Sequence, residues 1–367
     1  MSGPYEIRAA QPPRSGHIPP MLLAVLCLLQ APQDPAWVRL ERALPELEAQ
    51  AAADTGWHPG PMPRLLREGD SSAAVTSIRN RLLQLGDFVD STSDPSLFDA
   101  QLHAAVLRFQ SRHGLASDGI VGPATQAALA VPLSDRVRQV EHALEQWRQF
   151  TAPSEGPLVE VDVRTAMVRL VDAATRTVRF EARVIVGAPR TPTPAMTSTI
   201  DRVVFNPPWN VPDGIARNEL GPQFRADTAA LTRGGYQLLR GRAVVPPSEE
   251  NLAAIGRGVS VRQRPGPANA LGRVKLEVAG TSAIHLHDTP SRHLFARDNR
   301  QLSHGCIRVE HTAELASLLL GEQWPAERIA EVIHSGATVT VPLASPVPVW
   351  LRRMEAGVDP DGRLWFR

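Results

Sequence analysis

Apolar positions recur every three to four residues through the first part of the chain and alternate with polar ones beyond residue 157. A helical half is therefore predicted to precede a β-rich half. Trp37, Leu40, Leu44 and Leu47 share one helix face, which predicts a scaffold helix within 32–62. Gly60-Pro61-Met62-Pro63 then breaks the chain. Gly69-Asp70-Ser71-Ser72 reads as a capping signal ahead of Val75, Ile78, Leu82 and Leu85. Leu102, Val106 and Phe109 give a second stripe, and the turn Asp118-Gly119 with Gly122-Pro123 opens a short third helix through Leu129. This predicts a three-helix module over 63–133. Val137, Val140, Leu144 and Trp147 mark a connecting helix in 134–156, ended by Pro153 and Gly156-Pro157.

From Leu158 the period becomes two. Leu158 to Arg164 and Met167 to Val171 read as paired strands, and Val178, Phe180 and Val184-Ile185-Val186 continue the sheet. Prolines interrupt it at Asn206-Pro207-Pro208-Trp209-Asn210-Val211-Pro212. A helical insertion follows, running from Asp213 to Arg240 or a little beyond, to about 245, and an insertion between strands is a lid candidate. Val274 to Val278 resumes a strand, and the alternation from Val347 to Phe366 predicts a closing one. The expected class is multidomain α+β, with a helical N-terminal half and a mainly β domain over 157–367 that carries the lid.

Charge narrows the function. With 39 basic and 38 acidic residues there is no basic excess for nucleic-acid binding. The basic residues are almost all arginine, with Lys275 the single lysine. Residues 1–31 hold the apolar run Met21 to Leu29, shorter than the ~20 apolar residues of a membrane span. Behind Arg8 and Arg14 it reads as a signal peptide, or as an anchor if uncleaved, so export is expected and membrane contact only in the uncleaved case. The chain's two cysteines, Cys27 and Cys306, do not make a disulfide framework. Once the leader is removed, Cys306 is a lone thiol in an oxidising compartment.

That thiol has partners in sequence. Ala283-Ile284-His285-Leu286-His287-Asp288 reads as a strand end that directs His285 and His287 to one face. Nineteen positions after His287, Ser303-His304-Gly305-Cys306-Ile307-Arg308 places the thiol after a glycine. Cys and His in this relation suit nucleophilic catalysis: only the thiolate attacks, and an imidazole either takes the proton during attack or holds a thiolate–imidazolium pair. N–H groups around Gly305 and Cys306 are candidate oxyanion donors. The competing reading is zinc held by His285, His287, Asp288, His304 and Cys306, disfavoured because structural zinc prefers several cysteines. No metal or cofactor is expected.

Two resemblances sharpen this reading. Arg108-Phe109-Gln110, His113-Gly114-Leu115 and Asp118-Gly119-Ile120-Val121-Gly122-Pro123-Ala124-Thr125 resemble the peptidoglycan-binding domain family, a helical bundle that docks on wall polymer. Ser303-His304-Gly305-Cys306-Ile307-Arg308, with the upstream histidine, resembles the signature of the YkuD-type L,D-transpeptidases. Asn206 to Pro212, Pro265 to Gly272 and Leu286 to Pro290 suggest the large branch with scaffold helices and a lid on a β-sandwich. The resemblance implies that Cys306 attacks after the L-centre of diaminopimelate in a tetrapeptide stem, expels D-alanine, and passes the acyl group to a neighbouring stem as a 3-3 cross-link. It implies His287 as base and acid, Gly305 and Cys306 as the oxyanion hole, and a backbone group of Ser303 or His304 orienting the imidazole. It further implies a periplasmic or envelope location, stem peptides and glycan as partners, and acylation by carbapenems. Arg308 either binds a substrate carboxylate or braces the loop. L,D-carboxypeptidase activity, lipoprotein attachment to the wall and a silent wall-binding scaffold are the alternatives. One departure is His285, which stands where an aromatic such as tyrosine is expected.

Overall fold

The structure, a computed structural model, describes residues 35–89, 94–150, 153–281, 283–359 and 361–366. Residues 1–31, read as a signal peptide or anchor and holding Cys27, lie outside them. No described helix is long and apolar enough to cross a membrane.

Three helices, α2 (Ala73–Gln84), α3 (Ala100–Arg112) and α4 (Pro123–Leu129), form the small module. The expected stripes meet there: Val75, Ile78 and Leu82 pack against Leu102, Val106 and Phe109, with Val121 beneath. Ser72 occupies the N-cap position of α2 but its hydroxyl makes no capping bond. Asp99 does cap α3, accepting from Leu102 N at 2.8 Å. The turn into α4 needs a left-handed residue, and Gly119 supplies it with φ of 71°.

α1 (Pro35–Ala53) and α5 (Leu133–Gln149) flank the module in sequence and pack on one another. Their apolar faces, carrying Trp37, Leu40, Leu144 and Trp147, also cover Leu158, Val171 and Trp350 of the β domain. Trp350 stacks on Phe150 with ring centroids 3.9 Å apart and meets Trp147 edge-on at 4.7 Å.

The β domain is a ring. β1 (Pro157–Asp162), β2 (Met167–Asp172), β3 (Val178–Gly187), β4 (Met196–Phe205), β9 (Val274–Val278), β10 (Leu286–His287), β12 (Ile307–Val309) and β13 (Val339–Arg352) are its staves. They run in the order β3-β12-β10-β9-β4-β13-β1-β2, and β2 pairs with β3 again to close the sheet; β11 (Gln301–Ser303) adds to the outside of β3. Closure leaves none of the eight staves as a free edge. Alternation along each strand sends one set inward: Val159, Val161, Val184, Val203, Leu276, Leu286, Ile307 and Val309 form the interior with Leu315 and Ile329 from α6 (Thr312–Leu320) and α7 (Ala326–Ser335). The opposite set on β9, β10 and β12 faces out.

The insertion is larger than its helices. Short helical segments fill 213–233, and then β6 (Tyr236–Arg240) and β7 (Ala243–Val245) join β5 (Trp209–Asn210) and β8 (Ser260–Gln263) in a second sheet, ordered β5-β8-β6-β7. It has its own core of Val211, Phe224, Leu231, Leu238, Leu252 and Val261. The strands were missed because Gln237-Leu238-Leu239 and Val244-Val245 are too short to show a period of their own.

At the C-terminus β14 (Ala356–Val358) and β15 (Leu364–Phe366) form a hairpin beside α1 and α5. Arg112 of the module grips it, bonding Leu364 O while forking onto Asp87. His113 stacks on Phe109 and faces Phe366, and burial holds it neutral, down to about 3. Because so much apolar area from scaffold and barrel converges on Trp350, Trp350→Ala is expected to cost about 3–5 kcal/mol, read as a lowered urea midpoint. An unchanged midpoint would mean the two halves do not share this core.

Candidate active site

The site lies on the outer face of the barrel, where three adjacent strands each contribute polar residues. β10 and β12 are parallel, with Leu286 opposite Ile307 and His287 opposite Arg308. β9 runs antiparallel to β10, with Lys275 opposite His287. Leu276, Leu286 and Ile307 point into the core, so alternation turns Lys275, His285, His287, Cys306 and Arg308 outward together. This register places His285 and His287 on one face of the sheet.

Cys306 is half-buried and lines a cleft of about 550 Å³. The floor includes Lys275, Ala283, His285 and His304; Trp209, Asn210, Pro212, Ile215 and Glu219 of the insertion form the facing wall. Of the segment 213–245 read as a lid, Gly214, Ile215, Asn218 and Glu219 line the cleft. The Cys306 thiol donates to Ala283 O at 3.1 Å. Burial pushes the thiol above its ordinary range, partly opposed by the His285 backbone N–H and by the positive charges of Lys275 and Arg308.

His287 is buried under the cleft, 4% exposed. Its Nδ1 lies 2.6 Å from Asp288 O. A carbonyl can only accept, so Nδ1 carries the proton and Nε2 is left as the basic nitrogen. Burial chiefly, then Arg308, His285 and Lys275, drive the ring down to about 3 against the opposing effect of that carbonyl. The resting pair is therefore a neutral thiol and a neutral imidazole.

The group that orients the ring is a correction to the sequence reading, which placed it in Ser303 or His304. Ser303 O is already taken, accepting from Ala188 N at 2.8 Å and Thr191 Oγ1 at 3.0 Å. The His304 ring instead bonds Glu219 Oε1 across the cleft at 2.7 Å. The Asp288 side chain is engaged elsewhere, accepting from Arg273 N at 2.9 Å and Arg292 Nη2 at 3.0 Å. No group of three or more His, Cys, Asp or Glu side chains that could hold a metal ion occurs among the described residues.

The loop that carries Cys306 is held from inside. Ser303 Oγ donates to Cys306 O at 2.6 Å and accepts from Gly305 N at 3.1 Å. The Gly305 N–H is thus engaged, which leaves Cys306 N–H as the freer of the two expected oxyanion donors. Gly305 has φ of 112°, a backbone state that side-chain-bearing residues rarely enter. Thr193 is fully buried and links two strands' ends to the loop: its hydroxyl accepts from Gly187 N at 2.9 Å and donates to Gly305 O at 2.7 Å. The sequence analysis passed over Thr191 and Thr193; the Thr191-Pro192-Thr193-Pro194 repeat was their only signal. It also passed over Glu219 and gave Lys275 no role. The guanidinium of Arg308, half-buried, has no hydrogen bond or ion pair among the described residues, and burial lowers its proton affinity.

Residues 156–347, more than half of the chain, match the model of the L,D-transpeptidase catalytic domain. The chain belongs to the L,D-transpeptidase family. Residues 71–129 match a peptidoglycan-binding domain model, so the α2–α4 module has its own family. A Haemophilus influenzae protein named as an L,D-transpeptidase is 40% identical over 183 residues, covering 49% of this chain and 37% of that protein. The Mycobacterium tuberculosis N-acetylmuramoyl-L-alanine amidase CwlM is 44% identical over 115 residues, 29% of this chain and 26% of its own length. This L,D-transpeptidase family member thus spans little more than a third of the first relative and about a quarter of the second. A solved L,D-transpeptidase structure from Xylanimonas cellulosilytica aligns over 80% of this chain and 100% of its own, at 17% identity and a TM-score of 0.22.

Two measurements follow from the site. Since the folded thiol titrates above its ordinary range, thiolate is scarce at neutral pH and increases as pH rises. Alkylation of Cys306 by iodoacetamide is expected to accelerate continuously from about pH 6 to about pH 9. A plateau at the acidic end would reveal a preformed ion pair. Thr193→Val keeps the shape but strands Gly187 N–H and Gly305 C=O, and is expected to lower stability by about 1–3 kcal/mol in chemical denaturation.

Proposed function

We propose that this protein is a peptidoglycan L,D-transpeptidase that forms 3-3 cross-links through a Cys306 thioester. The observation that carries the reading is a thiol lining a cleft, on the same outer face as an imidazole whose Nδ1 is fixed by Asp288 O. Membership of the family and the accompanying wall-binding module support the substrate class.

In the reaction we infer, Cys306 Sγ attacks the carbonyl after the L-centre of diaminopimelate while its proton passes to His287 Nε2. A neutral pair favours transfer during attack over a standing thiolate. The tetrahedral oxyanion is met by Cys306 N–H, with Gly305 allowing close approach. His287 then returns the proton to the departing amine, the C–N bond breaks and D-alanine leaves. The side-chain amine of a second stem attacks the thioester, His287 takes that proton, and the thiol is restored. Ser303 shapes the loop, His304 joins it to the insertion, and Arg308 is a candidate for a substrate carboxylate. A cell-envelope location follows from the substrate.

Whether the thioester goes to an amine or to water depends on how far solvent is kept from Cys306, and residues of the insertion that line the same cleft support transfer. Purified protein given a tetrapeptide stem is expected to release D-alanine and yield dimers when a second stem is present. Trimmed stems without dimers would replace transfer by hydrolysis. Cys306→Ala is expected to abolish acyl-enzyme formation, seen by intact mass, with wall binding retained; an adduct that persisted in that variant would overturn the assignment.

A further inference from the structure

The basic side chains of this protein number 39, and all but one are arginine. The exception, Lys275, lines the cleft beside Cys306. The two cations are not equivalent: guanidinium is a broad planar fork, whereas ammonium is a compact point charge with three donors on a slim stem. A cleft wall of Pro208, Trp209, Pro212, Ile215 and Leu271 leaves room for the slim cation.

Its setting is that of a held but unfilled donor. Lys275 sits opposite His287 on β9, one strand from the nucleophile. Its ammonium bonds Glu277 Oε1 at 2.8 Å, and Glu277 is also approached by Arg202 at 3.4 Å. Glu277 therefore anchors one N–H while sharing its charge with a second cation. Two N–H donors remain without a partner among the described residues. The side chain is 17% exposed, so its charge is only partly screened by water. Among the described residues no other permanently charged cation lines the cleft, and the one carboxylate there, Glu219, is engaged with His304.

The geometry points to Lys275 as a specificity-determining residue that takes a free carboxylate of the donor stem peptide and so sets the scissile carbonyl against Cys306. This rests on the reading of the reaction given above. The electrostatic influence of Lys275 reaches both reacting groups, favouring the thiolate and disfavouring the imidazolium. A substrate carboxylate on the ammonium would moderate both effects at the moment the thiol loses its proton. Two sources of the carboxylate fit, the terminal D-alanine and the D-centre of diaminopimelate, and they share one chemistry.

The test compares tetrapeptide stems carrying free carboxylates with stems amidated at one position or the other. Wild-type protein is expected to lose about tenfold in kcat/KM when the engaged carboxylate is amidated, and to tolerate the other amide. Lys275→Met should show the same loss on the free acid and no further response to that amide; Lys275→Arg should keep a response to it. Binding of the same stems to a Cys306→Ala background, by calorimetry, reads recognition without turnover. Lys275-dependent binding of the free acid with no turnover in the wild type would sink the transfer reading and keep this proposal. Turnover or binding in Lys275→Met that discriminates against the amides as the wild type does, or a wild type indifferent to both amides, overturns the role of Lys275.

Discussion

A slip of one residue between β10 and β12 would turn Cys306 and Arg308 into the hydrocarbon interior and bring Ile307 out to the cleft. Nothing in the chemistry of the thiol prevents this; the burial of Leu286, Ile307 and Val309 does. Each is fully buried, and together with Leu276 they tie the register of three strands to the interior of a closed barrel. The closure matters because a sheet with an open edge next to β12 would have a partner row free to shift. Here β3 occupies that place, pairing Arg308 with Ile185, and is itself fastened to β2. The relation between thiol and imidazole is thus set by apolar packing on the far side of the sheet.

Burial that fixes the register also fixes protonation. Both groups titrate in the direction of their uncharged forms, the imidazole downward and the thiol upward, because both charged forms are poorly solvated there. The loop that carries the thiol is correspondingly rich in satisfied polar bonds: Ser303 and Thr193 each serve as donor and acceptor at once. A loop so tethered gives Gly305 little choice of backbone conformation, which is the circumstance in which a glycine at φ of 112° persists.

The amphipathic helices were legible because Trp37, Leu40, Val140, Leu144 and Trp147 express a helical period over long stretches, and the barrel strands because β1 to β3 alternate. Strands of two or three residues, such as β5, β7 and β10, carry no period, and their pairing is decided by partners far away in sequence. The same limit governs the site. Cys306 and His287 stood out as residue types at a telling spacing, whereas Thr193 and Glu219 acquire meaning only through contacts over 112 and 85 residues. The orienting carbonyl of Asp288 has no side-chain identity to read at all, so the search for a third group went to the nearby polar loop. Lys275 was visible by composition but silent as to place until β9 was paired with β10.

The bond between Glu219 and His304 spans the mouth of the cleft with both side chains about half exposed. Ion pairs so open to water contribute on the order of 0–1 kcal/mol. The insertion has an apolar core of its own, so the loss of this single contact would leave its packing whole while removing a polar link between Glu219 and the loop that carries Cys306.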